Sequence, residues 1–355
     1  MRSPVRTVLC FLLSSLLACL GARAHAACGL NKVAEMPLFK LGAHYAVMAQ
    51  IEDTFRPIIV DTGAPTTLIN LSVAEEFELK PDLSPGSATP VLGLGQTKAE
   101  VLPNAIPSIL GFGDLVYHDR STVVARSESA NSPEEESIGL LGDDILSQFD
   151  VEFDFPAGKL TFYRAVDCHD TFLPWTGRYS AIPFLRDNTK IVIDVVLNGE
   201  RNQAIVDTGN PNSFVSRSLL SRWGVSASTL SKPIGTIGSP FNGGNSFAVS
   251  LFTFDKVKIG YDFFPAMNMG VADIDFPSAS INLGLDFFRS RKLWISYPNK
   301  WMFLAESGAA KLAYSVQPMA RQAREVDAEP TATTRAIDAP RAAVGQEPAP
   351  GAARP

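Results

Sequence analysis

The chain repeats itself, and the repeat constrains it more than any other feature. The segments Arg56-Pro57-Ile58-Ile59-Val60-Asp61-Thr62-Gly63-Ala64 and Asn202-Gln203-Ala204-Ile205-Val206-Asp207-Thr208-Gly209-Asn210 carry the same Asp-Thr-Gly triplet behind an apolar run. They lie 146 positions apart, 61 to 207. A second pair, Ile138-Gly139-Leu140-Leu141-Gly142 and Ser280-Ile281-Asn282-Leu283-Gly284, follows in the same order, 142 positions apart from Gly142 to Gly284. Two motifs recurring in register indicate duplication of a unit of about 140 residues. The 355-residue chain is long enough for two such units with a core each.

The surroundings of each triplet match as well. The runs 44–51 and 57–60 read as strands around a turn at Glu52-Asp53. The runs 190–197 and 204–206 read the same way around Asn198-Gly199, a hairpin signal. Each triplet therefore stands where a buried strand ends in a tight loop, and its glycine permits the turn. After each second motif comes a hairpin, 151–155 with 159–163 and 293–297 with 301–304. Helical periodicity is confined to short stretches near 73–77 and 216–223, one after each triplet.

The ends of the chain have a different character. Arg2 and Arg6 precede an apolar run over 8–20, and Ala24-His25-Ala26 places small residues at −3 and −1 of a cleavage site. Residues 1–26 thus read as a signal peptide, and the protein as exported, periplasmic or secreted. A lipoprotein acylated at Cys19 is the alternative. Removing 1–26 takes away three arginines and no acid, moving the net charge from −6 to −9. That charge, with no clustered Lys or Arg, argues against a nucleic-acid partner. No later segment reads as a membrane span. Two cysteines remain, Cys28 and Cys168, and an isolated pair in an oxidising compartment predicts a disulfide over two free thiols. The expected organisation is an N-terminal lobe at 30–166, a linker at 167–179, a C-terminal lobe at 180–310 and a disordered tail at 316–355.

Aspartates at equivalent positions of a duplicated unit can meet across a pseudo-two-fold axis. Close carboxylates cannot both ionise freely, so such a pair shares a proton and titrates as a unit. The ionised member can take a proton from water while the protonated member polarises a carbonyl, with no metal and no cofactor. Thr62 and Thr208 hydroxyls can bond across the junction of the units. Backbone N–H groups near Gly63 and Gly209 can hold the carboxylates.

On these residues the chain resembles the pepsin and retropepsin type of aspartic peptidase, in a bacterial form with two retropepsin-like units in one chain, over about residues 40–305. The resemblance implies an all-β fold of two pseudo-symmetric barrel lobes with a cleft between them. It carries the catalytic aspartate onto Asp61 and Asp207. It reads Leu140-Leu141-Gly142 and Asn282-Leu283-Gly284 as the element that completes a psi-shaped loop under each triplet. The implied activity is endopeptidase cleavage of a peptide or protein substrate by a monomer with an intramolecular dyad. Candidate flaps over the cleft are 91–97, with Gly93 and Gly95, and 234–244, with Gly235 and Gly238.

Three features depart from the family pattern. Ala64 and Asn210 stand directly after the triplets where pepsin-type enzymes favour a hydroxyl residue, each is followed by a proline, Pro65 and Pro211, and Asn282 is polar where the motif is usually apolar. They motivate an alternative, a catalytically silent peptide-binding module on the same fold. Other chemistries lack their motifs: there is no His-Glu-x-x-His, no paired Cys at zinc spacing, no Gly-x-Ser-x-Gly and no Walker loop.

Overall fold

A computed structural model describes residues 28–318 except 95, 97, 128–135, 167, 169–171, 239–245, 277, 307 and 313–315. The signal segment 1–26, the tail beyond 318, Gly95 and most of the acidic stretch 131–137 fall outside the described residues. Within them the chain is mostly β, built from two ten-stranded sheets, one per unit, and a seven-stranded sheet that joins them.

Each unit is organised around its triplet in the same way. In the first, Thr54–Val60 pairs antiparallel with His44–Ile51. Its last three residues, Ile58, Ile59 and Val60, are all buried. A strand covered on both faces has no polar side to present, which is why the run is continuously apolar instead of alternating. Gly139–Leu141 lies parallel to Thr54–Val60 on one side and antiparallel to Leu68–Asn70 on the other. The strand leaving the triplet loop is thus separated from the strand entering it by a third, which closes the psi-shaped loop.

The second unit repeats this with Lys190–Leu197, Glu200–Val206, Phe214–Ser216 and Ile281–Leu283. Its hairpin turn holds Asn198 at φ 51° and Gly199 at φ 97°, the two left-handed positions that an Asn-Gly turn requires. Short helices follow each triplet strand, Leu71–Glu76 and Arg217–Arg222. Ser216 caps the second, its hydroxyl accepting from Ser218 N–H. The equivalent Asn70 instead donates to the Ser137 carbonyl at 2.7 Å.

The two units are more than tethered. Asp150–Asp154 with Lys159–Val166, and Arg291–Ser296 with Trp301–Glu306, form the two hairpins expected from sequence. They also join edge to edge, Val151 opposite Ile295 and Phe153 opposite Leu293. Each hairpin alone would expose an unpaired edge; joining removes both. Lys292 bridges the seam, its ammonium 2.9 Å from Glu152 and 3.3 Å from Asp154.

Two boundaries differ from the composition-based expectation. Within the linker span, Trp175–Gly177 is a strand paired with Ala310–Leu312, and Trp175 is buried beside Leu30, Tyr163, Trp294 and Phe303. In the span assigned to the tail, Val316–Pro318 adds a parallel strand to Gly29–Pro37. Backbone pairing needs no apolar side chain, so composition does not reveal it. Cys28 and Cys168 form a disulfide. The antiparallel pairing that places Gly29 opposite Val166 brings the two cysteines together.

Candidate active site

The two triplets face each other where the units meet. The Thr62 hydroxyl donates to the Val206 carbonyl at 2.9 Å and accepts the Thr208 N–H at 3.0 Å. Symmetrically, the Thr208 hydroxyl donates to the Val60 carbonyl at 2.9 Å and accepts the Thr62 N–H at 3.1 Å. Both side chains are buried, 0% and 1% exposed, so six polar groups satisfy one another across the junction through four hydrogen bonds.

This lock sets the spacing of the aspartates. Gly63 lies flat against the Asp207 carboxyl, and a Cβ there would stand 2.5 and 2.6 Å from its two oxygens. Gly209 lies against the Asp61 carboxyl in the same manner. Only glycine permits an approach this close, and the symmetry of the two contacts brings the carboxyls together. Gly63 N–H and Ala64 N–H donate to Asp61 Oδ1 at 2.7 and 3.0 Å. Gly209 N–H donates to Asp207 Oδ1 at 3.0 Å.

Both aspartates keep some surface toward the cleft, but protein surrounds them closely. Burial, followed by the neighbouring Asp207 carboxylate, holds the Asp61 carboxyl well above the usual carboxylate range. Lys190, whose ammonium donates to the Gly63 carbonyl, opposes this. A protonated acid beside an ionisable one is an arrangement that can give and take protons at one bound molecule.

Beneath the triplets a second symmetric layer holds the loops. Thr67 N–H and hydroxyl donate to Asp144 Oδ1 at 2.6 and 2.7 Å. Ser213 N–H and hydroxyl donate to Asp286 at 2.9 and 2.6 Å. The same hydroxyls accept the N–H of Gly142 at 3.1 Å and of Gly284 at 3.0 Å. The sequence reading missed these four side chains. Their signal was present: a hydroxyl residue six places after each aspartate and an acid two places after each motif glycine, repeating at 146 and 142.

The departures Asn210 and Asn282 turn out to be partners. Asn282 Nδ2 donates to Asp207 Oδ2 at 2.7 Å, and Asn210 Nδ2 donates to Asn282 Oδ1 at 3.3 Å. The first unit has Ala64 and Leu140 at the equivalent positions.

Of the candidate flaps, the first is a hairpin of Thr89–Val91 and Glu100–Leu102. At its end Gly93 N–H donates to the Gln96 side chain at 2.8 Å. Leu94 packs on an apolar cluster of the opposite unit formed by Phe214, Val249, Ala272 and Ile274. The second hairpin, Gly235–Gly238 against Ser246–Phe254, sends Ile237 to that same cluster. Among the described residues no group of three or more His, Cys, Asp or Glu side chains is placed to hold a metal ion.

Solved structures similar to the chain include an aspartic proteinase from Irpex lacteus, 15% identical with a TM-score of 0.46, covering 80% of this chain and 98% of that one. Another is a retropepsin-like aspartic protease from Rickettsia conorii, 19% identical with a TM-score of 0.30, covering 39% of this chain and 100% of that one. The resemblance is to aspartic proteases. No protein-family profile matches the chain, and no curated protein matches it.

Proposed function

We propose that the protein is an aspartic endopeptidase in which Asp61 and Asp207 activate one water between them. The observation that carries this reading is the reciprocal threonine bonding with each glycine against the opposite carboxyl, an arrangement that holds two acids in contact at a pseudo-symmetric junction. The ionised aspartate takes a proton from the water as its oxygen attacks the peptide carbonyl carbon, and the protonated aspartate gives its proton to the carbonyl oxygen. The product is a neutral tetrahedral gem-diol. Its collapse breaks the C–N bond, with a proton passing to the leaving nitrogen, and restores one proton to the pair.

Both aspartates belong to one chain, which supports a monomer with an intramolecular dyad. The hairpins bearing Gly93 and Gly235–Gly238 would close over an extended peptide, with Leu94 and Ile237 exchanging their contact with the one cluster they share for contact with substrate. The disulfide and the N-terminal apolar segment support export. The test is cleavage of unfolded protein and of a peptide library by the mature protein and by Asp61→Asn and Asp207→Asn. Each variant should abolish cleavage; cleavage at the parental rate by both would end the proposal. Tight binding of a transition-state analogue with no cleavage by the parent would make the chain a peptide-binding module instead.

A further inference from the structure

The two aspartates are not held alike. Asp61 Oδ1 takes two backbone N–H groups from its own loop. Asp207 takes one backbone N–H on Oδ1 and, on Oδ2, the side-chain amide of Asn282. Where Asn282 stands the first unit has Leu140, and where Asn210 stands it has Ala64, neither of which can donate from its side chain. Polar residues thus occupy both positions in one unit and apolar residues both positions in the other.

Chemistry gives the asymmetry a direction. An amide NH2 only donates, so the oxygen it meets must accept. Asn282 is 2% exposed and Asn210 8%, which leaves water little part in the arrangement. Asn210 Nδ2 bonds Asn282 Oδ1, which agrees with the amide orientation that points Asn282 Nδ2 at Asp207. With the amide reversed, two carbonyl-type oxygens would face each other unless Asp207 carried the shared proton there.

We propose that Asn282, oriented by Asn210, is a positioning residue that holds Asp207 as the ionised, water-activating member of the pair and leaves Asp61 as the proton-bearing member. This rests on the peptidase reading for its catalytic meaning but not for its measurement. The raised Asp61 carboxyl agrees with it. The other groups around the pair are Lys190 on the Gly63 carbonyl, Tyr297, and the Asp143–Arg186 ion pair beside Tyr297. Asp286 is engaged by Ser213. All of these remain when Asn282 or Asn210 is replaced.

The experiment compares the parent with Asn282→Leu, which installs the residue found at the equivalent place in the first unit, and with Asn210→Ala, which frees the Asn282 amide. The dyad is titrated by NMR of 13C-carboxyl-labelled aspartate, and the pH profile of kcat/KM is measured alongside. A charge-assisted hydrogen bond lost from an anion should raise the lower macroscopic step of the dyad in Asn282→Leu by about one to two pH units. Asn210→Ala should raise it by less. The acidic limb of kcat/KM should move with that step, kcat falling and KM holding. Should Asn282→Leu fail to fold, an upward shift in Asn210→Ala supports the proposal and an unmoved step refutes it. An unmoved lower step in folded Asn282→Leu refutes it outright. If the step moves while the parent cleaves nothing, the positioning role stands and the peptidase reading falls; if the parent cleaves and the step is unmoved, the reverse holds.

Discussion

Replacing Gly63 with alanine should disable the protein without touching a carboxylate. The added Cβ would stand 2.5 and 2.6 Å from the two Asp207 oxygens, whereas ordinary contact begins at 3.4 Å. Asp207 Cγ would be nearer still, at 2.4 Å, so the Asp207 carboxyl or the Gly63 loop must retreat by roughly 0.8–1.0 Å, the difference between those distances and 3.4 Å. The threonine lock resists that motion, because the Thr62 and Thr208 backbones next to the site are each held by the other's hydroxyl. Overpacking of this kind costs about 1–3 kcal/mol of stability. A displacement near 1 Å at reacting groups costs on the order of 10²-fold in rate. Gly235→Ala supplies the stability control, since a Cβ there meets nothing within 4 Å and the position has no left-handed φ, and the parent supplies the rate control. Urea unfolding reads the first effect and kcat on a fluorogenic peptide reads the second. If Gly63→Ala matches Gly235→Ala in stability and the parent in kcat, the carboxyls are not in contact and the dyad geometry is wrong.

Two more outcomes follow from buried polar groups. Thr208→Val removes a donor to the Val60 carbonyl and an acceptor for the Thr62 N–H at a site 1% exposed, and should cost about 2–4 kcal/mol in urea unfolding, with Thr208→Ser restoring most of it. In the seam sheet, burial raises the Asp150 carboxyl from 3.8 to about 6. The folded state then holds this proton more tightly than the unfolded chain. Stability should therefore fall as pH rises through that interval, and Asp150→Asn should be the more stable form above pH 6 by about 2–3 kcal/mol, read by urea unfolding at pH 4 and pH 8. Equal stability of variant and parent at pH 8 would contradict the assigned burial cost.

The sequence alone determined the repeat, and with it the β character of each unit, the two triplets and the recurrence of Gly142 and Gly284. These features are written in local order and in a period, and both survive in one dimension. The Asn198-Gly199 turn and the continuous apolar runs before each aspartate were legible for the same reason, since their causes lie within a few residues. Tertiary structure decided what depends on contacts between distant residues. It joined the two hairpins into one sheet, drew Trp175–Gly177 and Val316–Pro318 into strands, and packed Leu94 of one unit on the cluster of the other. It also changed the meaning of Asn282. Read along the chain, a polar residue in an apolar motif looks like a defect. In space its amide donates to Asp207 Oδ2 at 2.7 Å, inside the part-buried site.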